Sequence, residues 1–185
     1  MRIVGGRFKG KALATPKTNA IRPTTDRVRE TLFNILAHGY DHVVDGARVL
    51  DLFAGTGALG CEALSRGAEH VTFVEEGTEG RGLIRSNMEA FGLNGVAKIL
   101  RRDATKLGSA GTIAPFDLVF LDPPYRKSLG EAALASAAQG GWLAKDALCI
   151  WEEDAKAELA IPADFEVLEE RTYGDSKLTF VRYTG

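Results

Sequence analysis

Four consecutive residues, Asp122-Pro123-Pro124-Tyr125, have the types and spacing needed to hold a planar base. They follow an apolar run at 116–121 that predicts a buried strand, and open α/β sheets bind ligands at the carboxyl ends of such strands. The two prolines have no N–H and disfavour a helical turn, so the turn presents acceptors: the Asp122 carboxylate and backbone carbonyls. Acceptors beside an aromatic ring suit a base with an exocyclic amino group. An ordinary proline turn is the alternative interpretation.

A glycine-rich loop follows an earlier strand. Residues 49–60 have the pattern of strand, tight turn and helix start, and Gly55, Gly57 and Gly60 match G-x-G-x-x-G. Glu75 comes 20 residues after Gly55, at the end of the next predicted strand, where a carboxylate can accept both hydroxyls of a ribose. The motif alone fits a nicotinamide or flavin enzyme as well as an enzyme that uses S-adenosylmethionine, and it also fits a purely structural turn.

Two further acids favour S-adenosylmethionine. Asp51 ends the strand before the glycine loop, where a carboxylate repels a pyrophosphate but tolerates a sulfonium and an ammonium group. Asp103-Ala104 follows the third strand, so that Asp103 could accept a bond from an adenine amino group and the Ala104 N–H could donate to a ring nitrogen. Each acid alone fits a surface charge. Four successive strand ends that carry Asp51, Glu75, Asp103 and Asp122 indicate one shared site.

An alternation of strands and helices positions these acids. Strands are predicted near 47–53, 70–75, 96–101, 116–121, 147–152, 165–171 and 177–183, and helices near 57–66, 78–91 and 128–139. This order predicts an α/β fold with a Rossmann-like, doubly wound, mostly parallel seven-stranded sheet. The last two strands are joined by a short connection, which predicts a C-terminal antiparallel hairpin.

The first forty residues differ in charge from the rest of the chain. They contain eight Lys or Arg and two acids, a formal charge of +6, and because the whole chain carries -2, the remaining 145 residues carry -8. We expect a small N-terminal β-hairpin within a basic extension of residues 1–20, followed by one domain at 21–185. A basic arm of this kind indicates a polyanionic partner, although a solvated hairpin is an equally good interpretation. Thr24 or Thr25 then caps a helix that runs to about His38, with an apolar face formed by Val28, Leu32, Ile35 and Leu36.

Composition excludes several other classes of protein. A chain of 185 residues with 45% hydrophobic and 26% charged residues is typical of a single globular domain. Its cysteines, Cys61 and Cys149, have neither metal nor disulfide spacing, and no apolar run is long enough to cross a bilayer. We therefore expect a cytoplasmic monomer without a metal or a membrane partner. We also expect Cys61 to be a small buried residue, and Trp142 and Trp151 to pack in the core or at its rim.

The motifs together resemble a known enzyme class. Asp-x-Phe-x-Gly-x-Gly at 51–57, an acid after the second strand, Asp-Ala after the third and Asp-Pro-Pro-Tyr after the fourth resemble a class I methyltransferase that methylates amino groups. The blocks at 22–34 and 174–180 are similar to the bacterial small-subunit ribosomal RNA guanine-N2 methyltransferase family, and the resemblance covers nearly the whole chain. DNA adenine and cytosine amino methylases share Asp-Pro-Pro-Tyr, so this motif defines the chemistry better than the substrate.

The resemblance implies a cofactor, a partner and roles for particular residues. The cofactor is S-adenosylmethionine, and the partner is ribosomal RNA, either naked or within a protein-bound small-subunit particle. The residues implied for the cofactor are Asp51, Phe53, Gly55, Thr56, Gly57, Glu75, Asp103 and Ala104, with Glu76 as an alternative to Glu75. Those implied for catalysis are Asp122, Pro123, Pro124 and Tyr125, and those expected at RNA are Arg2, Arg7, Lys9, Lys11 and Arg22.

Three other functions remain as alternatives. A DNA or another RNA amino methyltransferase would use the same motifs, although the target-recognition domain of a DNA enzyme is hard to fit into 185 residues. A catalytically silent RNA-binding module would have no need for the acceptor turn. A nicotinamide oxidoreductase is disfavoured by Asp51 and by the two prolines.

Overall fold

The computed structural model of the chain describes residues 1–19, 21, 24–125 and 127–185. Within these residues four helices and seven strands follow the predicted order. They are α1 (Asp26–Gly39), β1 (Arg48–Leu52), α2 (Ala58–Ser65), β2 (His70–Val74), α3 (Thr78–Phe91), β3 (Ala97–Leu100), β4 (Phe116–Leu121), α4 (Leu129–Gln139), β5 (Leu143–Asp154), β6 (Phe165–Tyr173) and β7 (Ser176–Tyr183).

The seven described strands form one sheet in the order β3-β2-β1-β4-β5-β7-β6. Strands β1 to β5 run parallel, whereas β7 pairs antiparallel with both β5 and β6. The predicted fold class is therefore confirmed, including the C-terminal antiparallel hairpin. The chain order reverses between β1 and β4, and in a doubly wound sheet the carboxyl ends of the strands leave a crevice at that point.

Helices cover both faces of the sheet and bury two apolar layers. Successive residues of β1 point to opposite faces, so Val49 belongs to one core cluster and Leu50 to the other. Helices α1, α2 and α3 pack on the first face and α4 on the second, where Trp142 and Trp151 are fully buried as expected. Among the described residues, no helix has the length and apolar character needed to cross a membrane.

Helix α1 begins at a side-chain cap, and the structure decides between the two candidate threonines. The hydroxyl of Thr25 accepts a hydrogen bond of 3.2 Å from the N–H of Val28, so Thr25 is the cap. Of the predicted apolar face, Leu32, Ile35 and Leu36 are buried in the core, whereas Val28 is only half-buried.

The predicted amino-terminal hairpin is present as a short antiparallel turn. Arg2 bridges to Ala12, and the Ile3 N–H donates to the Lys11 carbonyl at 2.9 Å. The side chains of Ile3 and Leu13 are buried in the same core cluster as α1 and α2. The hairpin thus packs against the sheet-bearing part of the molecule, and its description as a separate extension of residues 1–20 stays a proposal.

A buried ion pair joins this hairpin to α1 and α2. The guanidinium of Arg29 and the carboxylate of Glu62 are both fully buried, with Nε and Oε1 3.0 Å apart. The Glu62 carboxylate also accepts bonds from the N–H groups of Val4 (3.1 Å) and Gly5 (3.0 Å) and from Arg66 Nε (2.9 Å). Arg29, which the sequence places among the cations of the amino-terminal segment, therefore contributes nothing to a surface charge.

The sequence contains a signal for this pair. Helix α2 reads Ala-Leu-Gly-Cys-Glu-Ala-Leu-Ser, and every one of its residues is buried. A charged residue in a helix that is otherwise apolar on all sides must find a partner, because a buried charge without one is strongly destabilising. That argument predicts a cation opposite Glu62 but not which one.

Breaking this pair from one side should lower stability severely. In Arg29→Met the Glu62 carboxylate stays buried with one of its two charged partners removed, so we expect the free energy of unfolding to fall by about 3–5 kcal/mol. Urea denaturation measures the change. The matched control is Arg171→Met, because the Arg171 side chain is 46% exposed in its pair with Glu169 and the change there should stay within about 1 kcal/mol. Equal effects in the two variants would contradict the prediction.

Candidate active site

The carboxyl ends of β1, β2 and β4 surround a cavity of about 560 Å³, a volume that suits a small-molecule ligand. Most of the site residues predicted from the sequence line it. They are Asp51, Phe53, Gly55, Thr56, Glu75, Asp103, Ala104, Asp122, Pro123, Pro124 and Tyr125. The cavity lies at the reversal of strand order between β1 and β4, where the topology leaves a crevice.

The glycine loop is built from left-handed backbone. Phe53 has φ 56° although it carries a side chain, and such strain is typical of ligand sites. Gly57 has φ 77°, and a Cβ there would lie 2.8 Å from the side chain of Ile84. A Cβ at Gly60 would lie 2.3 Å from the ring of Phe73. These two glycines therefore let α2 pack tightly against β2 and α3, whereas Gly55 faces the cavity.

Glu75 connects the glycine loop to the turn after β2. Its Oε1 accepts a bond of 2.7 Å from the Gly55 N–H, and its Oε2 accepts one of 2.8 Å from the Gly77 N–H. Each carboxylate oxygen has a second lone pair, so the group can still accept a ligand hydroxyl. Glu76 also lines the cavity but is exposed, so of the two acids Glu75 is the one whose orientation is fixed by the described hydrogen bonds.

Asp51 and Asp103 lie in contrasting environments. Burial, together with the nearby charge of Glu75, raises the pKa of Asp51 well above its usual value, although the Gly60 N–H bonds to its carboxylate at 3.1 Å. The hydroxyl and N–H of Thr105 both donate to Asp103 and lower the pKa of that carboxyl. A cation in the cavity beside Asp51 would favour the ionised form of that group.

The Asp-Pro-Pro-Tyr turn is held from two sides. The hydroxyl of Thr24 donates to Asp122 Oδ2 at 3.3 Å, and the Tyr125 hydroxyl donates to Glu152 Oε1 of β5 at 3.3 Å. Pro123 is buried under the turn, whereas the ring of Tyr125 is half-buried beside the cavity. The acceptors and the aromatic ring therefore face the same space as the glycine loop.

The amino-terminal segment forms a wall of the cavity that was not predicted from the sequence. Asn19, Ile21 and Thr24 line it, and a Cβ added at Gly55 would lie 3.3 Å from the Ile21 side chain. Upstream, the Thr18 hydroxyl donates to Glu79 at the start of α3 at 2.6 Å. An isolated apolar residue in a polar loop was the available signal for Ile21, but no local pattern points to Thr24.

The cations expected at RNA lie away from the cavity. Arg2, Arg7, Lys9 and Lys11 are exposed, while Arg22 lies outside the described residues. The Arg7 N–H donates to the carbonyl of Ser65, at the carboxyl end of α2, at 2.9 Å. Because α2 has eight residues, it is roughly 12 Å long, and the hairpin tip lies at the end opposite the glycine loop. A role of these cations at RNA stays a proposal.

Cys61 and Cys149 are free and buried. Burial raises the pKa of each thiol to about 12, so neither is poised as a nucleophile. The expectation that Cys61 is a core residue is confirmed. Across residues 1–19, 21, 24–125 and 127–185, no group of three His, Cys, Asp or Glu side chains is arranged to hold a metal ion.

Comparisons with known proteins find relatives that match nearly the whole chain. The model of the family described as "Conserved hypothetical protein 95" matches residues 1–182. "Ribosomal RNA small subunit methyltransferase D" of Escherichia coli (strain K12) is 39% identical over 94% of this chain and 85% of its own length. The protein of the same name from Haemophilus influenzae is 35% identical over 94% and 89%. A solved structure, "Putative methyltransferase yhhF from Escherichia coli", superposes with a TM-score of 0.84 at 34% identity, covering 99% of this chain and 97% of the other.

The raised pKa of Asp51 has a consequence for stability. Between its usual value and its raised value, the folded protein keeps a proton that the unfolded chain has released, so the contribution of Asp51 to stability falls as pH rises through that window. Asp51→Asn removes this effect. We expect the variant without ligand to be more stable than the wild type at pH 7, and the difference to shrink as pH falls towards about 4.

Thermal and urea unfolding over that pH range measure the difference, with each 1 kcal/mol expected to move the melting temperature by about 2–4 °C. Asp103→Asn is the control of opposite sign, because the lowered pKa of Asp103 stabilises the folded protein above the usual value and this contribution is lost as pH falls. If the Asp51→Asn variant is less stable than the wild type at pH 7, the conclusion that Asp51 has a raised pKa in the folded protein is refuted.

Proposed function

The chain belongs to the "Conserved hypothetical protein 95" family, and on that premise we propose that it transfers a methyl group from S-adenosylmethionine to the exocyclic N2 amino group of a guanine in small-subunit ribosomal RNA. The relatives named as small-subunit ribosomal RNA methyltransferases support the reaction and the class of RNA. The guanine N2 position is the finer part of the proposal, and it comes from the similarity of the blocks at 22–34 and 174–180 to the guanine-N2 family.

One observation carries the proposal: the acceptor turn and the glycine loop face the same cavity. Asp122 and Tyr125 line it after β4, and Gly55 and Glu75 line it after β1 and β2. A methyl donor on the glycine loop and a base on the turn would therefore meet without any domain movement. Such proximity is the main source of catalysis in a single displacement step.

The donor set of the cavity fits S-adenosylmethionine. Glu75, already oriented by the N–H groups of Gly55 and Gly77, would accept the ribose hydroxyls. Asp103 and the Ala104 N–H would bind the edge of the adenine, and Asp51 would lie towards the cationic part of the molecule. The bound cofactor supplies an electrophilic methyl group on a sulfonium.

The acceptor turn would make the amino nitrogen of the base, which is a weak nucleophile, more reactive. The lone pair of an aromatic amine is delocalised into its ring, which makes the nitrogen unreactive. The carboxylate of Asp122 and the carbonyl of Pro123 would accept hydrogen bonds from the two N–H groups of the amine. They would hold the nitrogen in a pyramidal geometry with its lone pair directed at the methyl group. Methylation makes the nitrogen strongly acidic, so loss of its proton needs no obligatory base. Tyr125 would stack on the base and contribute about 1–3 kcal/mol.

The charge of the cavity selects which part of the RNA enters. Glu75, Asp103 and Asp122 line the cavity, so phosphates are disfavoured there, and a base that has left its stack is the part of the RNA that would enter. The RNA backbone would then lie on the outer surface, where the exposed cations of the hairpin are found. These cations would position the RNA without reading its sequence.

The function is tested by mapping the product. Purified protein, S-adenosylmethionine and either small ribosomal subunits or naked small-subunit RNA are incubated, and the nucleosides are analysed by mass spectrometry. We expect N2-methylguanosine at a single position. Methylation of another amine, as N6-methyladenosine or N4-methylcytidine, would reject the guanine assignment, and the absence of methylation together with tight NAD binding would reject the enzyme class.

Asp122→Ala is the variant that tests the acceptor turn. We expect it to abolish methyl transfer while the affinity for S-adenosylmethionine stays within about tenfold, because Asp122 acts mainly on the acceptor amine. Calorimetry measures the affinity, and a tritiated-methyl assay measures the transfer. Turnover near that of the wild type would reject the proposed role of Asp122.

Neutralising the hairpin should weaken RNA binding in a salt-dependent way. Arg7, Lys9 and Lys11 are exposed and are changed together to Gln, whereas Arg2 is kept because its guanidinium donates to the Gly10 carbonyl at 2.7 Å. We expect weaker binding and a salt slope of log affinity reduced by about 0.7 for each phosphate of single-stranded RNA that is no longer neutralised. RNA affinity at several salt concentrations gives the slope.

The control for charge alone changes Lys98, Lys145 and Lys156 to Gln, since these exposed residues lie outside the hairpin. It removes the same three charges and should leave the salt slope unchanged. Equal salt plots for the hairpin variant and the wild type would mean that the hairpin does not bind RNA.

A further inference from the structure

Thr24 contacts Asp122, although it does not belong to the Asp-Pro-Pro-Tyr motif. Thr24 lies 98 positions before Asp122, yet its hydroxyl donates to Asp122 Oδ2 at 3.3 Å. Thr24 is half-buried and lines the cavity, so the hydrogen bond is formed at the wall that the reacting amine would face. The contact therefore lies beside the group that the proposed reaction depends on most.

Thr24 is itself held in place from the interior. Its carbonyl accepts a bond of 3.3 Å from Arg29 Nη1, and Arg29 is fully buried and paired with Glu62. The backbone that carries the Thr24 side chain is thus held through its carbonyl by a buried side chain, and a hydroxyl on such a backbone has a defined position.

A carboxylate needs an orienting partner in such a role. The terminal torsion of an aspartate is broad, so a carboxylate can rotate between many orientations at little cost. A hydrogen bond at one oxygen fixes the carboxylate plane, and the direction of the remaining lone pairs is then fixed as well. Only a fixed direction lets the carboxylate hold an amine hydrogen so that the nitrogen lone pair lies along the line of methyl transfer.

We propose that Thr24 is a positioning residue for methyl transfer, whose hydroxyl fixes the plane of the Asp122 carboxylate and is itself anchored by the buried Arg29. This inference rests on the proposed function for its kinetic consequence. It assigns Thr24 a part in catalysis that is exerted through Asp122, in addition to its place in the wall of the cavity.

The kinetic test separates the hydroxyl from the shape of the side chain. Thr24→Val keeps the shape and removes the hydroxyl, and we expect kcat to fall by about tenfold to hundredfold, because misplacement of a reacting group has effects of this size. The KM for S-adenosylmethionine should stay within about threefold of the wild type. Thr24→Ser restores the hydroxyl and should return kcat to within about threefold.

The matched control is Thr25→Val. It removes the neighbouring hydroxyl, which caps α1 and is exposed, so the melting temperature should fall while kcat stays near that of the wild type. Wild-type kcat in Thr24→Val, or a Thr24→Ser variant as slow as Thr24→Val, would overturn the inference. The first result would mean that methyl transfer does not need the Thr24 hydroxyl. The second would mean that the shape of the Thr24 side chain in the cavity wall, and not its hydroxyl, determines kcat.

Crystal structures test the inference independently of enzyme turnover. Crystal structures of the wild type, Thr24→Val and Thr24→Ser should show one orientation of the Asp122 carboxylate in the first and third proteins and a rotated or split orientation in the second. An unchanged single orientation in Thr24→Val would overturn the inference. A wild type that methylates no RNA would reject the proposed function, and the crystal structures would still decide whether Thr24 orients Asp122.

Discussion

The side chain of Glu62 carries the constraint on which the amino-terminal half of the molecule depends. Its two oxygens accept hydrogen bonds from two backbone N–H groups of the hairpin and from two arginines, one on α1 and one just after α2. A buried carboxylate is tolerated only with such a set of donors, so hairpin, α1 and α2 must dock together or not at all. The position of Thr24 follows from this docking, because Arg29 bonds to both Glu62 and the Thr24 carbonyl.

A second level of organisation is electrostatic. The cavity carries acids at four strand ends, and the exposed hairpin carries cations about one helix length away. The two charges are therefore separated in space as well as along the chain. Under the proposed function, this separation gives each part of a nucleotide its own surface: the cationic cofactor and a neutral base inside, and the phosphates outside. The net charge of -2 conceals this arrangement, since it averages two surfaces of opposite sign.

The sequence predicted what depends on local patterns. The alternating elements, the Thr25 cap among two candidates, the glycine loop and the strand-end acids could be predicted because each is written within a dozen neighbouring residues. Two contacts could not be predicted in this way. Arg29 and Glu62 are 33 positions apart, and Thr24 and Asp122 are 98 positions apart. Each contact forms only when separate elements dock against each other. The same limit applies to the burial of Arg29 and to the cavity wall formed by Asn19, Ile21 and Thr24.

The strand order has a consequence for how the protein is made. Strand β7 is synthesised after β6 but lies between β5 and β6 in the sheet. Until β7 has left the ribosome, β5 has an open edge with Leu148, Cys149 and Ile150 on it, and β6 has no strand beside it. An open apolar edge invites pairing with another chain. During synthesis, the nascent chain is therefore most vulnerable to aggregation in the interval between the emergence of β5 and that of β7.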